Sequence, residues 1–305
     1  MRASIDIGSN SILLLVGEVK KGKVLEKRSE ARVTGLGKSL DKDNAFSDEA
    51  FRDSLSALSE YKNILHEFGI PPENAIVTAT EAMRLGSNSS DFIRQVKEKL
   101  GFEIIPISGE GEAYYTGLGV VSCFGQSQIS NREIIMDIGG ASTEFLRVQN
   151  DPYQLQQSVS LPMGSVRGMD YLREVVFDSR MREIENEFDL TSYRTDKLFC
   201  VAGTMTSLAA MIKKLKVFSE ESIDGLEITF AQLARLEEEI SQQSPEQLLE
   251  IYPFLGKRSK SIVGGCKVAR VLCEKVMANK LIISKAGLRY GTLISGEVHE
   301  QFKFR

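Results

Sequence analysis

The stretch Ser4-Ile5-Asp6-Ile7-Gly8-Ser9-Asn10-Ser11-Ile12 returns, in altered form, as Ile134-Ile135-Met136-Asp137-Ile138-Gly139-Gly140-Ala141-Ser142-Thr143-Glu144-Phe145. Each reads as a buried strand carrying an Asp, a tight glycine turn with small hydroxyl residues, and a second strand. The strand assignments rest on β-branched apolar runs bounded by Gly and Ser. Glycine lets the backbone come close to a ligand, and successive N–H groups in a turn form an anion-binding concavity. The hydroxyls of Ser9, Ser11, Ser142 and Thr143 add donors. An Asp at a strand end beside a phosphate is placed to hold a divalent cation, directly or through water. Alone, one such stretch is most often only a hairpin. Its repetition in both halves speaks first about architecture: two facing lobes with a phosphate chain gripped between them.

The two loops, Asp6 to Ser11 and Asp137 to Glu144, resemble those of the Ppx/GppA phosphatases, the exopolyphosphatases and guanosine pentaphosphate phosphohydrolases. The resemblance runs nearly the whole chain. It implies an α/β fold of two actin-like (ribonuclease H-like) domains, shared with sugar kinases, heat-shock chaperones and actin, with an interdomain cleft. Residues 1–120 would form the first domain and residues 121–305 the second, with a closing helix at 290–305 able to pack back on the first. The Asp-x-Gly-Ser-Asn-Ser form separates this family from its kinase relatives, which usually carry Thr after the Gly.

Composition fits two soluble domains. The chain has 305 residues, enough for two cores, with 42% apolar and 26% charged residues. A net charge of -4 argues against a general nucleic-acid coat, which needs a basic surface. Cys123, Cys200, Cys266 and Cys273 show no Cys-x-x-Cys spacing and read as reduced, mostly buried thiols. His66 and His299 lie outside every motif, which leaves little material for a histidine-based site. No apolar stretch approaches membrane-spanning length, so the expected compartment is the cytoplasm, with no membrane partner. The apolar content permits a homodimer interface, and related proteins are often dimers, but no stretch identifies one.

Along the chain, Ser47-Asp48-Glu49 opens a helix with Phe51, Leu55, Leu58, Leu65 and Phe68 at helical spacing. Ala75–Ala79 is a strand running into Thr80-Glu81-Ala82-Met83-Arg84, which resembles the family's Ala-Thr-x-Ala-x-Arg. That resemblance makes Arg84 a clamp for substrate phosphate, where its planar fork suits the oxygens; a lone Arg is otherwise commonly a surface ion-pair partner. Ser108-Gly109-Glu110-Gly111-Glu112-Ala113 resembles Ser-Gly-x-Glu-Glu-Ala and implies that Glu112 is the catalytic base. Gly111 departs from that pattern, as do Tyr114 where Arg is usual, Ala141 in the second loop and Lys260 where Asp is usual. Gly35-Leu36-Gly37-Lys38-Ser39-Leu40 reads as a loop. Gly203-Thr204, after a strand at Leu198–Ala202, is a natural anion site at a helix start. Thr229 to Gln232 and Ser244 to Gln247 read as capping boxes. Lys257 to Lys260 reads as the start of a long helix carrying Gly264 and Gly265.

The implied function is removal of terminal phosphate from inorganic polyphosphate or guanosine pentaphosphate. Glu112 would activate water. Mg²⁺ or another divalent cation would be held by Asp137 and Glu144, with Asp6 as helper. Gly8, Ser9, Asn10, Ser11, Gly139, Gly140, Ser142 and Thr143, with Gly203 and Thr204, would bind phosphate. Two alternatives stay open: a non-catalytic sensor of polyphosphate or a guanosine alarmone, supported by the four departures, and an actin-like kinase.

Overall fold

The computed structural model describes residues 1–38, 40–124 and 132–304. It divides into two compact units, Met1–Gly125 with Ala286–Arg305, and Gln126–Lys285. The expected crossing near residues 115–130 and the start of the second sheet at Asn131 fall partly or wholly outside the described residues, as does Ser39. The described residues hold no helix long and apolar enough to cross a membrane.

Each unit is built on the same sheet plan. In the first, β1 (Arg2–Ile7), β2 (Ser11–Lys20) and β3 (Lys23–Val33) form an antiparallel meander. On the other side of β1, β4 (Ile76–Ala79) and then β5 (Ile104–Pro106) add in parallel. The second unit repeats this with the meander β6 (Glu133–Ile138), β7 (Thr143–Gln149) and β8 (Gln154–Leu161). Then β9 (Lys197–Val201) pairs in parallel with β6. Further out come β10 (Glu227–Thr229), at the sheet edge, and β11 (Lys280–Ile283), parallel to β9. Even the irregularities match. The meander register shifts between Val16 and Gly17 in one unit and between Arg147 and Val148 in the other.

The central strands β1 and β6 are almost wholly buried, as expected where a sheet is covered on both faces. Ile5, Ile7, Ile12, Leu14 and Val77 pack with Leu58, Tyr61 and Leu65 of the Asp48–Glu67 helix. Met136, Ile138, Phe145 and Leu198 pack with the Ala202–Ile212 and Ile262–Lys275 helices. Ser47 caps its helix through a hydrogen bond from the Ala50 amide, and both capping boxes form.

Two helix readings are corrected. Lys257–Lys260 belongs to a tight 3₁₀ run, Pro253–Lys260, and the long helix starts only at Ile262. Gly256, at φ 50°, breaks the helical path inside that run. The closing helix is Leu288–Ser295 and stops at Gly296, whose left-handed φ of 84° makes it a C-cap. Beyond it, among the described residues, come the short turn Glu300–Phe302 and an isolated bridge at Lys303.

Candidate functional site

Both glycine loops close in one way. The Gly8 amide donates to the Ser11 carbonyl at 3.0 Å, and the Gly139 amide donates to the Ser142 carbonyl at 3.0 Å. The loop carbonyls are then tied back by the segment that follows the third strand of each meander. In the first unit, Thr34 and Gly35 amides donate to Asn10 O (3.1 and 3.0 Å), and the Gly37 amide donates to Ser9 O (2.7 Å). In the second, Ser165 donates to Gly139 O through its amide (2.9 Å) and hydroxyl (3.1 Å), and the Val166 amide donates to Gly140 O (2.8 Å). Arg167 adds a guanidinium hydrogen bond to Ala141 O at 2.9 Å. With carbonyls engaged, the amides of Ser9 and Asn10, and of Gly140, Ala141 and Ser142, which lie between the strands, have no backbone acceptor among the described residues. Buried or ligand-facing amides of this kind call for an acceptor, which makes each loop an anion cradle.

The glycines serve close approach, not left-handed geometry. None of Gly8, Gly139 and Gly140 has a positive φ, and neither does Ala141, so the alanine in the second loop carries no backbone strain. A Cβ on Gly164 would fall 2.5 Å from the Gly140 carbonyl, and one on Gly37 would fall 2.8 Å from Ser9 Cβ. The sequence reading gave neither Gly37 nor Gly164 a role.

In the first unit, Arg84 comes from the Glu81–Leu85 helix and Glu112 from the first turn of the Gly109–Phe124 helix. Arg84 Nη1 donates to Ile107 O at 2.7 Å and lies 3.4 Å from Glu112 Oε2. Both side chains are largely covered, at 17% and 18% exposure, so this pair is no surface salt bridge. Ser108 caps the helix: its hydroxyl accepts from the Gly111 amide and its carbonyl from the Glu112 amide. Asp6 lies opposite Leu13 in the β1–β2 ladder, and its Oδ1 is buried without a hydrogen-bond partner. Burial pushes its carboxyl up to about 7, with the Arg289 guanidinium pulling the other way.

In the second unit, Asp137 lies directly opposite Glu144 on the antiparallel pair, so their side chains share one face. Glu144 is buried and accepts from the Ser160 hydroxyl at 2.8 Å. Thr143 is fully buried, and its hydroxyl donates to Met163 O, holding the segment before Gly164 instead of lining the cradle. Among the described residues, no group of three or more His, Cys, Asp or Glu side chains is gathered as metal ligands.

Gly203 and Thr204 lie in the first turn of the Ala202–Ile212 helix, entered through Ala202 at φ 68°. Arg258 lies on that turn. A Cβ on Gly203 would fall 2.5 Å from its Nη2, and its Nη1 donates to Ser207 Oγ at 3.0 Å. No carboxylate pairs with this guanidinium among the described residues, and burial lowers its pKa from the ordinary value. A desolvated cation on a helix N-terminus is stable beside an anion. Gly264 and Gly265 fit this arrangement together. Gly264 abuts the Met169 backbone of the Ser165–Arg173 helix, and a Cβ on Gly265 would fall 2.6 Å from Thr204 Cγ2. A glycine pair inside a helix was the visible signal for that close packing.

Two sheets of one plan, each with an amide cradle at the turn of its first hairpin, define an actin-like two-domain α/β protein. The chain belongs to the Ppx/GppA phosphatase family, which matches residues 15–300. It is 28% identical, over 97% of its length and 46% of the relative's, to a bifunctional 3-dehydroquinate synthase/phosphatase of Fusobacterium nucleatum. It is 27% identical to a guanosine-5'-triphosphate,3'-diphosphate pyrophosphatase of Aliivibrio fischeri, over 95% of this chain and 58% of that one. The chain thus spans about half the length of the curated relatives it matches. Among solved structures, the PPX-GPPA enzyme of Aquifex aeolicus superposes with a TM-score of 0.76 at 26% identity, covering 96% of this chain and 98% of that one.

Proposed function

We propose that this chain is a phosphohydrolase that removes terminal phosphate from inorganic polyphosphate or guanosine pentaphosphate. The observation that carries this reading is the doubled cradle: two loops of one design, each with its carbonyls tied back and successive amides left for an anion. Hydrolysis of a terminal phosphate needs charge neutralisation on the phosphoryl oxygens and a water held in line with the leaving oxygen. The loop amides serve the first need. Glu112 serves the second, orienting the water and taking its proton. Arg84 stays tethered through Ile107 O while its remaining guanidinium N–H groups turn to phosphate oxygens. Gly203, Thr204 and Arg258 hold a phosphate further along the substrate.

The carboxylate donors fit a hard cation. Asp137 and Glu144, neighbours across one ladder, suit Mg²⁺, which typically takes one or two protein carboxylates and completes its shell with substrate oxygens and water. When bound, the cation would neutralise charge on the phosphoryl group. Burial raises the Asp6 carboxyl to about 7, so near neutral pH a cation at this position competes with a proton.

Phosphate release with Mg²⁺, from long-chain polyphosphate and guanosine pentaphosphate in parallel, tests the reading. Glu112→Gln is expected to lower turnover by about 10²–10⁴-fold. Near-full turnover in that variant removes Glu112 as base. Of the departures that favoured a sensor, Ala141 is unstrained, and Gly111 and Tyr114 both pack on Phe302. Tight alarmone binding with no release under any divalent cation would bring the sensor back.

A further inference from the structure

After its last helix the chain returns to the edge of the first sheet. Lys303 forms an antiparallel bridge with Ile107, just beyond β5. The Ser108 amide donates to Phe302 O at 2.8 Å, and the Phe304 amide donates to Pro106 O at 2.9 Å. The Phe302 side chain, 3% exposed, lies against the first turn of the Gly109–Phe124 helix. A Cβ on Gly111 would fall 2.7 Å from Phe302 Cβ. The Phe302 ring sits 4.7 Å from that of Tyr114 and 5.6 Å from that of Tyr115, and it stacks on His299 at 6.1 Å. The His299 amide donates to the Tyr115 hydroxyl at 2.9 Å.

These contacts converge on Ile107 and Ser108. They are the residues whose carbonyls hold Arg84 (2.7 Å) and the Glu112 amide (2.9 Å). We propose that Phe302 is a positioning residue: seated under Gly111, it fixes the Ile107–Ser108 backbone from which Glu112 and Arg84 are aimed. The role assigned to Phe302 rests on Glu112 acting as base. Two departures from the family pattern acquire one cause. Gly111 removes the side chain that would collide with Phe302, and Tyr114 supplies an aromatic face for it.

The test compares the 305-residue chain with Phe302→Ala, Phe302→Leu, Gly111→Ala and the double variant Gly111→Ala/Phe302→Ala. Two readouts are taken: amide hydrogen exchange at Ser108, Gly111 and Glu112, and kcat and KM for phosphate release measured separately. In Phe302→Ala, exchange at those amides is expected to rise at least tenfold. Its kcat is expected to fall by about 10–100-fold, with KM within about twofold, the pattern of a misaimed group (a shift of about 1 Å can cost ~10²-fold). Phe302→Leu restores most of both. Gly111→Ala reproduces the Phe302→Ala defect, yet adds little to it in the double variant, because the space has been vacated. Unchanged exchange in a folded Phe302→Ala variant overturns the proposal, as does strict additivity of the two substitutions or a loss confined to KM. If the alanine variant does not fold, Phe302→Leu and Gly111→Ala carry the same comparison. A wild-type protein that releases no phosphate sinks the hydrolase reading, while exchange and non-additivity still decide whether Phe302 holds the helix start.

Discussion

The two cradles are copies in hydrogen-bond plan and differ in what ties them back. Among the described residues the first is held by backbone amides alone, from Thr34, Gly35 and Gly37. The second is held by the N-terminus of the Ser165–Arg173 helix, with a hydroxyl and a guanidinium added. The opening amides of a helix lack intrahelical acceptors. Here the loop carbonyls supply them, so the loop caps the helix while the helix fixes the loop. The first loop has only a turn behind it. A duplicated device can thus be one rigid and one adjustable grip, with the rigid one next to the Asp137–Glu144 pair.

The sharpest way to break this comparison is a methyl group at each tie. A Cβ on Gly164 meets the Gly140 carbonyl and the Ala141 amide, both backbone, at 2.5 and 2.7 Å. Gly164→Ala is expected to cost about 3 kcal/mol or more, as overpacking against backbone does. The equivalent Gly37→Ala meets chiefly the Ser9 side-chain carbon at 2.8 Å and is expected to cost about 1–2 kcal/mol. Urea denaturation of both variants checks the order. Equal costs would mean that the two ties are equally rigid.

Arg167 is the next difference, since no side chain plays its part in the first loop among the described residues. Removing a charge-assisted hydrogen bond to a carbonyl costs about 1.5–3 kcal/mol. Arg167→Ala should therefore lower stability by about 1.5–3 kcal/mol in urea denaturation and loosen the second loop, slowing phosphate release, while Thr34–Gly37 exchange stays unchanged. An unaltered rate would leave the guanidinium a structural tie only.

The Asp residues of the two loops differ in the same spirit. Asp137 faces Glu144 across the ladder, whereas Asp6 faces Leu13. Because burial raises the folded pKa of Asp6 to about 7, the folded state binds a proton that the unfolded chain has released above about pH 4. Its contribution to stability is complete below about pH 4 and is lost as pH rises to about 7. Denaturation midpoints in cation-free buffer should show that decline in the wild type and a flatter profile in Asp6→Asn. Parallel profiles would place the titration elsewhere.

Local pattern carried much of this into the sequence. The Asp-Ile-Gly turns, both capping boxes and the Ser47 cap are written within a few residues of the chain, and all of them form. Glu112 and Arg84 were legible only through resemblance, because a Glu in a first helical turn and a lone Arg are commonplace. What the sequence left obscure depends on partners far away in the chain. Arg258 read as one residue at the start of a long helix, whereas its guanidinium lies on Gly203. Gly37 read as part of a loop, Gly164 had no role, and Phe302 read as part of a closing helix. In each case a missing Cβ or an aromatic ring is explained only by what packs against it.

The last difference lies where each unit passes from a parallel strand into its helix. After β4 the turn runs through Thr80 at φ −107°, outside the left-handed region. After β9 it runs through Ala202 at φ 68°, which a side chain tolerates poorly. That turn presents Gly203 and Thr204 at the helix start, where Arg258 lies, so the strain sits at the proposed second phosphate position. Ala202→Gly should relieve it and raise stability by about 1 kcal/mol, an increase of a few degrees in Tm. Thr80→Gly, at the N-cap of the first unit's helix, removes no left-handed φ and should lower stability by a similar or smaller amount through the flexibility it adds to the unfolded chain. A gain in stability at Ala202 with a loss at Thr80 would show that the left-handed φ of Ala202 stores strain at this helix start; a loss at both would remove the strain from the account.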